Sequence, residues 1–326
     1  MNEKAVCSRL RGEFSRSGWV LLLYYGIMNV AVTLVLAIDI VVRMVSISFS
    51  GEEISESQLE SLVEAAASNG WGYLIAMAVG GLLMFLWKKR EFCLKTIWKK
   101  EKPITAAAFF SIMALFFSAQ AVAQVMTIAM EWFFGLFGLS ITDALESATG
   151  VDDTLSMFLY ASIFAPVGEE ILFRGLLLRS LQPYGKKFAV LASAFLFGIF
   201  HGNIIQTPYA FLVGLVLGYV TVEYSIWWAV LLHTLNNMVL ADFMTRLSQL
   251  LPPGIGDLIS ILIIWGCAIA AGIILVVKRR EVAVYLRTKK IHPLCIKSFF
   301  TSPGVIVLSC IMAGNILLTF LLQLLV

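Results

Sequence analysis

Residues 164–180 read FAPVGEEILFRGLLLRS, with two adjacent glutamates and an arginine inside an otherwise apolar run. An ionisable side chain at the centre of a bilayer costs at least about 2.5–3.5 kcal/mol on insertion scales, so groups of this kind in a span are functional candidates by default. The rest of the chain says that this run is a span. Of 326 residues, 60% are apolar or aromatic and 14% are charged, and the mean hydropathy is +0.88. A soluble domain carries about 25% charged residues, so this chain has too few charges to cover a surface in water. A soluble enzyme, a nucleic-acid-binding module and a disordered chain are excluded. The expectation is an all-α, polytopic bundle of transmembrane helices.

A crossing helix needs about 20 mainly apolar residues. Nine runs qualify as candidates, near 19–48, 71–87, 105–135, 155–178, 188–202, 208–223, 226–245, 255–277 and 303–326. The fifth and sixth are short and joined by Gly202-Asn203; read as a re-entrant pair, they lower the count to seven or eight. Eight or nine spans is the working number. Lys and Arg collect in short cytoplasmic loops, and 21 of the 24 basic residues fall on one side of a nine-span arrangement. They lie in the N-terminal segment, in 88–102, in 278–297 and at Arg179, Lys186 and Lys187. The opposite side is acidic, with Glu52, Glu53, Glu56, Glu60 and Glu64, then Asp143, Glu146, Asp152 and Asp153. This pattern predicts a cytoplasmic N-terminus. The first apolar run exceeds the 7–15 residues of a signal-peptide core and reads as an uncleaved anchor. The five cysteines form neither a CxxC nor a metal spacing and read as free thiols.

Polar groups recur in two more apolar segments. Residues 195–203 read FLFGIFHGN, with Phe197 and His201, and residues 227–240 read WWAVLLHTLNNMVL, with His233, Asn236 and Asn237. Glu170 and Arg174 are four residues apart and pair along one helix face. Glu169 is turned about 100° from Glu170 on a helix of 3.6 residues per turn. His233 and Asn237 share a face. At 1.5 Å per residue, Glu169 and His233 lie roughly 15–16 Å from the cytoplasmic ends of their helices, and His201 roughly 21 Å. The three segments place polar groups at nearly one depth, and a shared site is the simplest account. Asn236 reads as interhelical glue, and Trp98, Trp227, Trp228 and Tyr184 as interfacial anchors.

A free carboxylate, two imidazoles and a carboxamide in a dry setting suit amide hydrolysis. Glu169 can act as general base toward a water, one imidazole can hold that water or shuttle its proton, and the second imidazole with an Asn amide can donate to an oxyanion. Equally, Glu169, His201 and His233 are acceptable zinc ligands, the metal then making the hydroxide. The residues alone leave both mechanisms open.

The three segments resemble the CAAX protease and bacteriocin-processing family, also called Abi or type II CAAX prenyl endopeptidases, with its motifs EExxxR, FxxxH and HxxxN in order. Here they stand as Glu169-Glu170-x-x-x-Arg174, Phe197-x-x-x-His201 and His233-x-x-x-Asn237. The resemblance covers about residues 155–240. It implies an intramembrane endopeptidase whose helical bundle surrounds a cavity open to the cytoplasmic side. It further implies that Glu169 and His201 activate water, that His233 and Asn237 stabilise the oxyanion, and that Glu170 and Arg174 support them. The chain then divides into an N-terminal transmembrane region (1–150), a protease core (151–245) and a C-terminal transmembrane region (246–326). The expected partners are bilayer lipid and a hydrophobic or lipidated peptide, with no nucleic acid. A compact layout with acidic outer loops suits a bacterial cell membrane. Two other classes use the same residues. A proton-coupled carrier would run them as a relay but would show matched broken repeats, and none is visible. A non-catalytic scaffold or immunity protein would tolerate losing motif residues, and all are present.

Overall fold

The computed structural model describes residues 3–49, 54–88, 90–142, 145, 154–288 and 290–324. Of the acidic outer residues, Glu52, Glu53, Asp143, Glu146, Asp152 and Asp153 lie outside these, as do Lys89 and Lys289 of the basic segments. The architecture is all-helical, with 86% helix and no strand among the described residues.

The helices are α1 (Glu3–Phe49), α2 (Glu56–Ala67), α3 (Trp71–Trp87), α4 (Ala106–Gly135) and α5 (Leu155–Tyr184). Then follow α6 (Lys186–Phe200), α7 (Gln206–Glu223), α8 (226–250), α9 (Ile255–Val277), α10 (Arg279–Arg287), α11 (Pro293–Phe300) and α12 (Pro303–Leu324). Every expected span coincides with a helix. Among the described residues, six stretches are long and apolar enough to cross a membrane: α1, Glu56–Trp87, α4, α5, α9 and Pro303–Gln323. The expected fifth to seventh spans fall short of that standard for different reasons. α6 has 15 residues, against the roughly 20 a crossing needs. α7 carries Gln206, Thr207 and Glu223, and α8 carries His233, Asn236 and Asn237, which dilute their apolar character. The short outer helix expected near 53–67 is α2, started by a capping box in which Ser55 and Gln58 exchange hydrogen bonds.

Helix α1 has 47 residues, about 70 Å at 1.5 Å per residue, and continues well past any bilayer core. It packs on α3, α11 and α12, while α9 lies along α4. None of the most apolar window of α1 is buried, and little of that of α9, as lipid-facing helices require. The interior is built by α5, α6, α7 and α8. α6 and α7 form the closest pair, because Gly214 lets the backbones meet: a Cβ there would stand 3.2 Å from Ala194 and from the Phe197 ring.

The basic end of the bundle is tied by Arg179 near the end of α5. Its guanidinium donates to Glu101 Oε1 at 3.0 Å, to the Lys99 carbonyl at 2.9 Å and to the Thr221 carbonyl at 3.2 Å. The α3–α4 connection is thereby held against α5 and α7. Beside it Trp98 stacks on Trp227 with centroids 4.9 Å apart, and Tyr184 meets Phe14 edge-on at 5.1 Å. All five cysteines are free.

Candidate active site

The local build of α5 separates its two glutamates. Pro166 lacks an N–H and crowds the carbonyl four residues back, and Tyr160–Phe164 around that carbonyl adopts π-helical i→i+5 bonding. Ala165–Glu169 returns to ordinary helix, and Glu170–Leu178 is π-helical again. Such wide turns inside helices are frequent at functional sites. The change of winding falls between Glu169 and Glu170. Glu169 keeps 34% of its side chain exposed, whereas Glu170 and Arg174 keep none.

Glu170 is the hub. Its Oε1 is 3.1 Å from Arg174 Nη1 and 3.0 Å from His233 Nδ1. The pairing expected from the four-residue spacing of Glu170 and Arg174 is present; the bond to His233 is an addition that spacing on one helix does not reveal. Arg174 also lies over the Phe197 ring, 4.0 Å from its centroid, and reaches the Gly214 carbonyl at 3.4 Å. A buried guanidinium is costly unless paired, and here a carboxylate, a π face and a carbonyl surround it. Because Glu170 accepts, His233 donates from Nδ1 and turns Nε2 toward Glu169, whose Oε2 is 3.9 Å away. The two glutamates and His233 therefore converge from α5 and α8.

His201 closes α6. The following Gly202 has φ +67°, a left-handed conformation that glycine takes without cost, so the helix stops at the imidazole. His201 Nδ1 donates to the Phe197 carbonyl at 2.8 Å, which leaves Nε2 with its lone pair when the ring is neutral. The Phe197 ring stands edge-on to both imidazoles, with centroids 4.7 Å from His201 and 5.8 Å from His233. His201 is within electrostatic range of Glu169 and His233. Phe197 thus backs both histidines and covers Arg174, more than its place in FxxxH discloses.

Asn237 sits one turn beyond His233 and donates from Nδ2 to the Ala161 carbonyl at 2.9 Å. Its Oδ1 accepts from Asn236 Nδ2 at 3.1 Å. Asn236 bonds across helices, as expected of interhelical glue, but its partners are specific. Tyr209 Oη donates to Asn236 Oδ1 at 2.8 Å, and Gln120 Nε2 donates to Tyr209 Oη at 2.8 Å. Gln120 and Tyr209 were not singled out from sequence. The available signal was weak: a glutamine in the middle of the apolar α4, and a tyrosine in the first turn of α7. His292, given no role from sequence, accepts from the Leu294 N–H and caps α11.

A metal would take Glu169, His201 and His233. Among the described residues no three His, Cys, Asp or Glu side chains stand together closely enough to hold one, so the zinc donor set is not assembled in this arrangement. A cavity of about 370 Å³ lies elsewhere, lined by Phe14, Arg16, Trp87, Lys88 and Tyr184 among others, and none of the motif residues lines it.

Residues 152–239 match the family model described as type II CAAX prenyl endopeptidase Rce1-like. The matched segment, a little over a quarter of the chain, holds all three motifs, and it coincides with the resemblance read from them. Neither the curated proteins nor the solved structures compared with the chain gave a match.

Proposed function

We propose that this chain, carrying an Rce1-like segment, is an intramembrane endopeptidase that hydrolyses a peptide bond of a hydrophobic or lipidated substrate with a water activated by Glu169 and His201. The observation that supports this most is a partly exposed Glu169 facing an imidazole fixed from behind by the buried Glu170–Arg174 pair, with the Phe197 ring edge-on to that imidazole and to His201.

Each residue has a chemical part. Glu169 Oε and His201 Nε2 are both acceptors, so a water donating one hydrogen to each turns a lone pair outward. As that oxygen forms a bond to the carbonyl carbon, its proton passes to Glu169. Charge gathers on the carbonyl oxygen. Asn237 Nδ2 has a second hydrogen beyond the one given to Ala161 and can donate it to that oxygen, and His233 joins it when Nε2 carries a proton. On collapse the C–N bond breaks and Glu169 returns the proton to the leaving amine. All of these steps use the chain's own residues.

The same reading places the N-terminus and the basic loops in the cytoplasm, and the Rce1-like core within residues 151–245. The test is comparative terminal proteomics on cells expressing the wild type or Glu169→Gln at matched membrane abundance. Termini that depend on Glu169 support the reading and name the substrate. Identical termini with intact biological output would sink it in favour of a scaffold or a carrier.

A further inference from the structure

An asparagine can present either its oxygen or its NH2 group to a substrate, and only its partners decide which. At Asn237 the Ala161 carbonyl, which can only accept, holds the NH2 group from one side, and a series of polar groups reaching back to α4 holds the oxygen from the other. Gln120 Nε2 can only donate. It donates to Tyr209 Oη at 2.8 Å and also reaches Asn236 Oδ1 at 3.3 Å. Tyr209, having accepted, sends its own proton to Asn236 Oδ1 at 2.8 Å. Asn236, with its oxygen facing two donors, turns its nitrogen to Asn237 Oδ1 at 3.1 Å. Asn237 is left with its oxygen occupied and its NH2 on the other side, one hydrogen on the Ala161 carbonyl. Every bond in the series runs in one direction, from α4 through α7 to α8.

We propose that Gln120 and Tyr209 are positioning residues that fix the amide of Asn237 with nitrogen, not oxygen, toward the reacting carbonyl. The inference rests on the reading of Asn237 as an oxyanion donor. In the opposite orientation the amide oxygen would face the developing negative charge and repel it. The series also gives α4 a part in the reaction, although α4 lies outside the matched segment 152–239. The Tyr209 hydroxyl is partly buried between α4 and α8, and leaving its bonds unmade there would be costly.

The test uses the full-length chain in detergent and a synthetic peptide bearing the Glu169-dependent cleavage site. Tyr209→Phe removes one oxygen, and Gln120→Met removes the initial donor. The expected result is a fall in kcat of up to about 100-fold with KM unchanged, in both variants. In an Asn237→Ala background neither substitution lowers kcat further, because the group they orient is gone. Losses that add to that of Asn237→Ala, or an unchanged kcat, overturn the inference while leaving the protease reading intact. Failure to find any Glu169-dependent terminus removes the protease reading, and this inference with it. Thermal midpoints are read alongside; a purely structural role would lower the midpoint without the non-additivity.

Discussion

His233 Nδ1 lies 3.0 Å from Glu170 Oε1, the same oxygen that holds Arg174. One buried carboxylate therefore orients the imidazole and neutralises the guanidinium, so the second glutamate of the pair need do neither.

That division predicts opposite outcomes for two like substitutions. Glu170→Gln leaves a fully buried arginine without its counter-charge and is expected to destabilise the fold by about 3–5 kcal/mol. Glu169→Gln, at a partly exposed position, is expected to leave the thermal midpoint almost unchanged. It lowers kcat by about 100-fold or more through loss of the base. Melting curves and cleavage rates on both variants decide the matter; equal destabilisation by the two would contradict it.

Phe197 can be tested without touching a polar atom. Phe197→Leu keeps the backbone carbonyl that holds His201 but removes the π face over Arg174. The contact of a desolvated guanidinium with an aromatic ring is worth about 2 kcal/mol, and the lost ring atoms add a cavity cost. A drop in unfolding free energy of at least about 2 kcal/mol is expected by chemical denaturation.

Gly202 sets where α6 ends. Gly202→Ala forces a Cβ into a left-handed residue, at a cost of about 1–2 kcal/mol. The Cβ would also stand 3.0 Å from the Asn315 amide. The expectation is a modest loss of stability with a larger loss of activity, because the strain is relieved next to His201. Cleavage rate measured at a temperature well below the melting midpoint separates the two effects.

The tie at the basic end gives a pH dependence. Partial burial acts to raise the carboxyl of Glu101, but hydrogen bonds and charge from Lys99 and Arg179 outweigh it and hold it below its ordinary 4.5. A carboxylate depressed in the folded state contributes stability that is present above 4.5 and lost as pH falls through the lower folded value. The wild type is therefore expected to lose part of its stability below pH 4.5, and Glu101→Gln to lose less over that range. Melting midpoints of both proteins from neutral to acidic pH provide the comparison.

Much of the site was legible because charged and imidazole side chains are scarce in this chain's apolar runs. Glu169, Glu170, Arg174, His201 and His233 stand out against Leu, Phe and Ala, and helical spacing pairs Glu170 with Arg174. Helix existence was legible for the same reason. Contacts between helices were not. Nothing in 227–240 says that His233 bonds Glu170 through Nδ1 while turning Nε2 toward Glu169, and nothing in 106–135 distinguishes Gln120 from Gln124, which accepts from Trp265 instead. The π-helical turns are also hidden, apart from the hint of Pro166, since the residues that form them are ordinary helix formers. The crossing count stayed open where function dilutes hydropathy, in α7 and α8.

The switch of winding at Glu170 has a consequence for how the helix tolerates length change. A π turn accommodates one residue more than an ordinary turn covering the same height. Removing one apolar residue from 171–173 would return the stretch to ordinary winding while leaving Glu169 and Glu170 in the sequence. Arg174 would then stand three positions from Glu170 with nearly its present bearing, since the ordinary turn covers the same height with one residue fewer. Glu170 and Arg174 are therefore expected to keep their pairing through a one-residue deletion within 171–173 that would separate them on an ordinary helix.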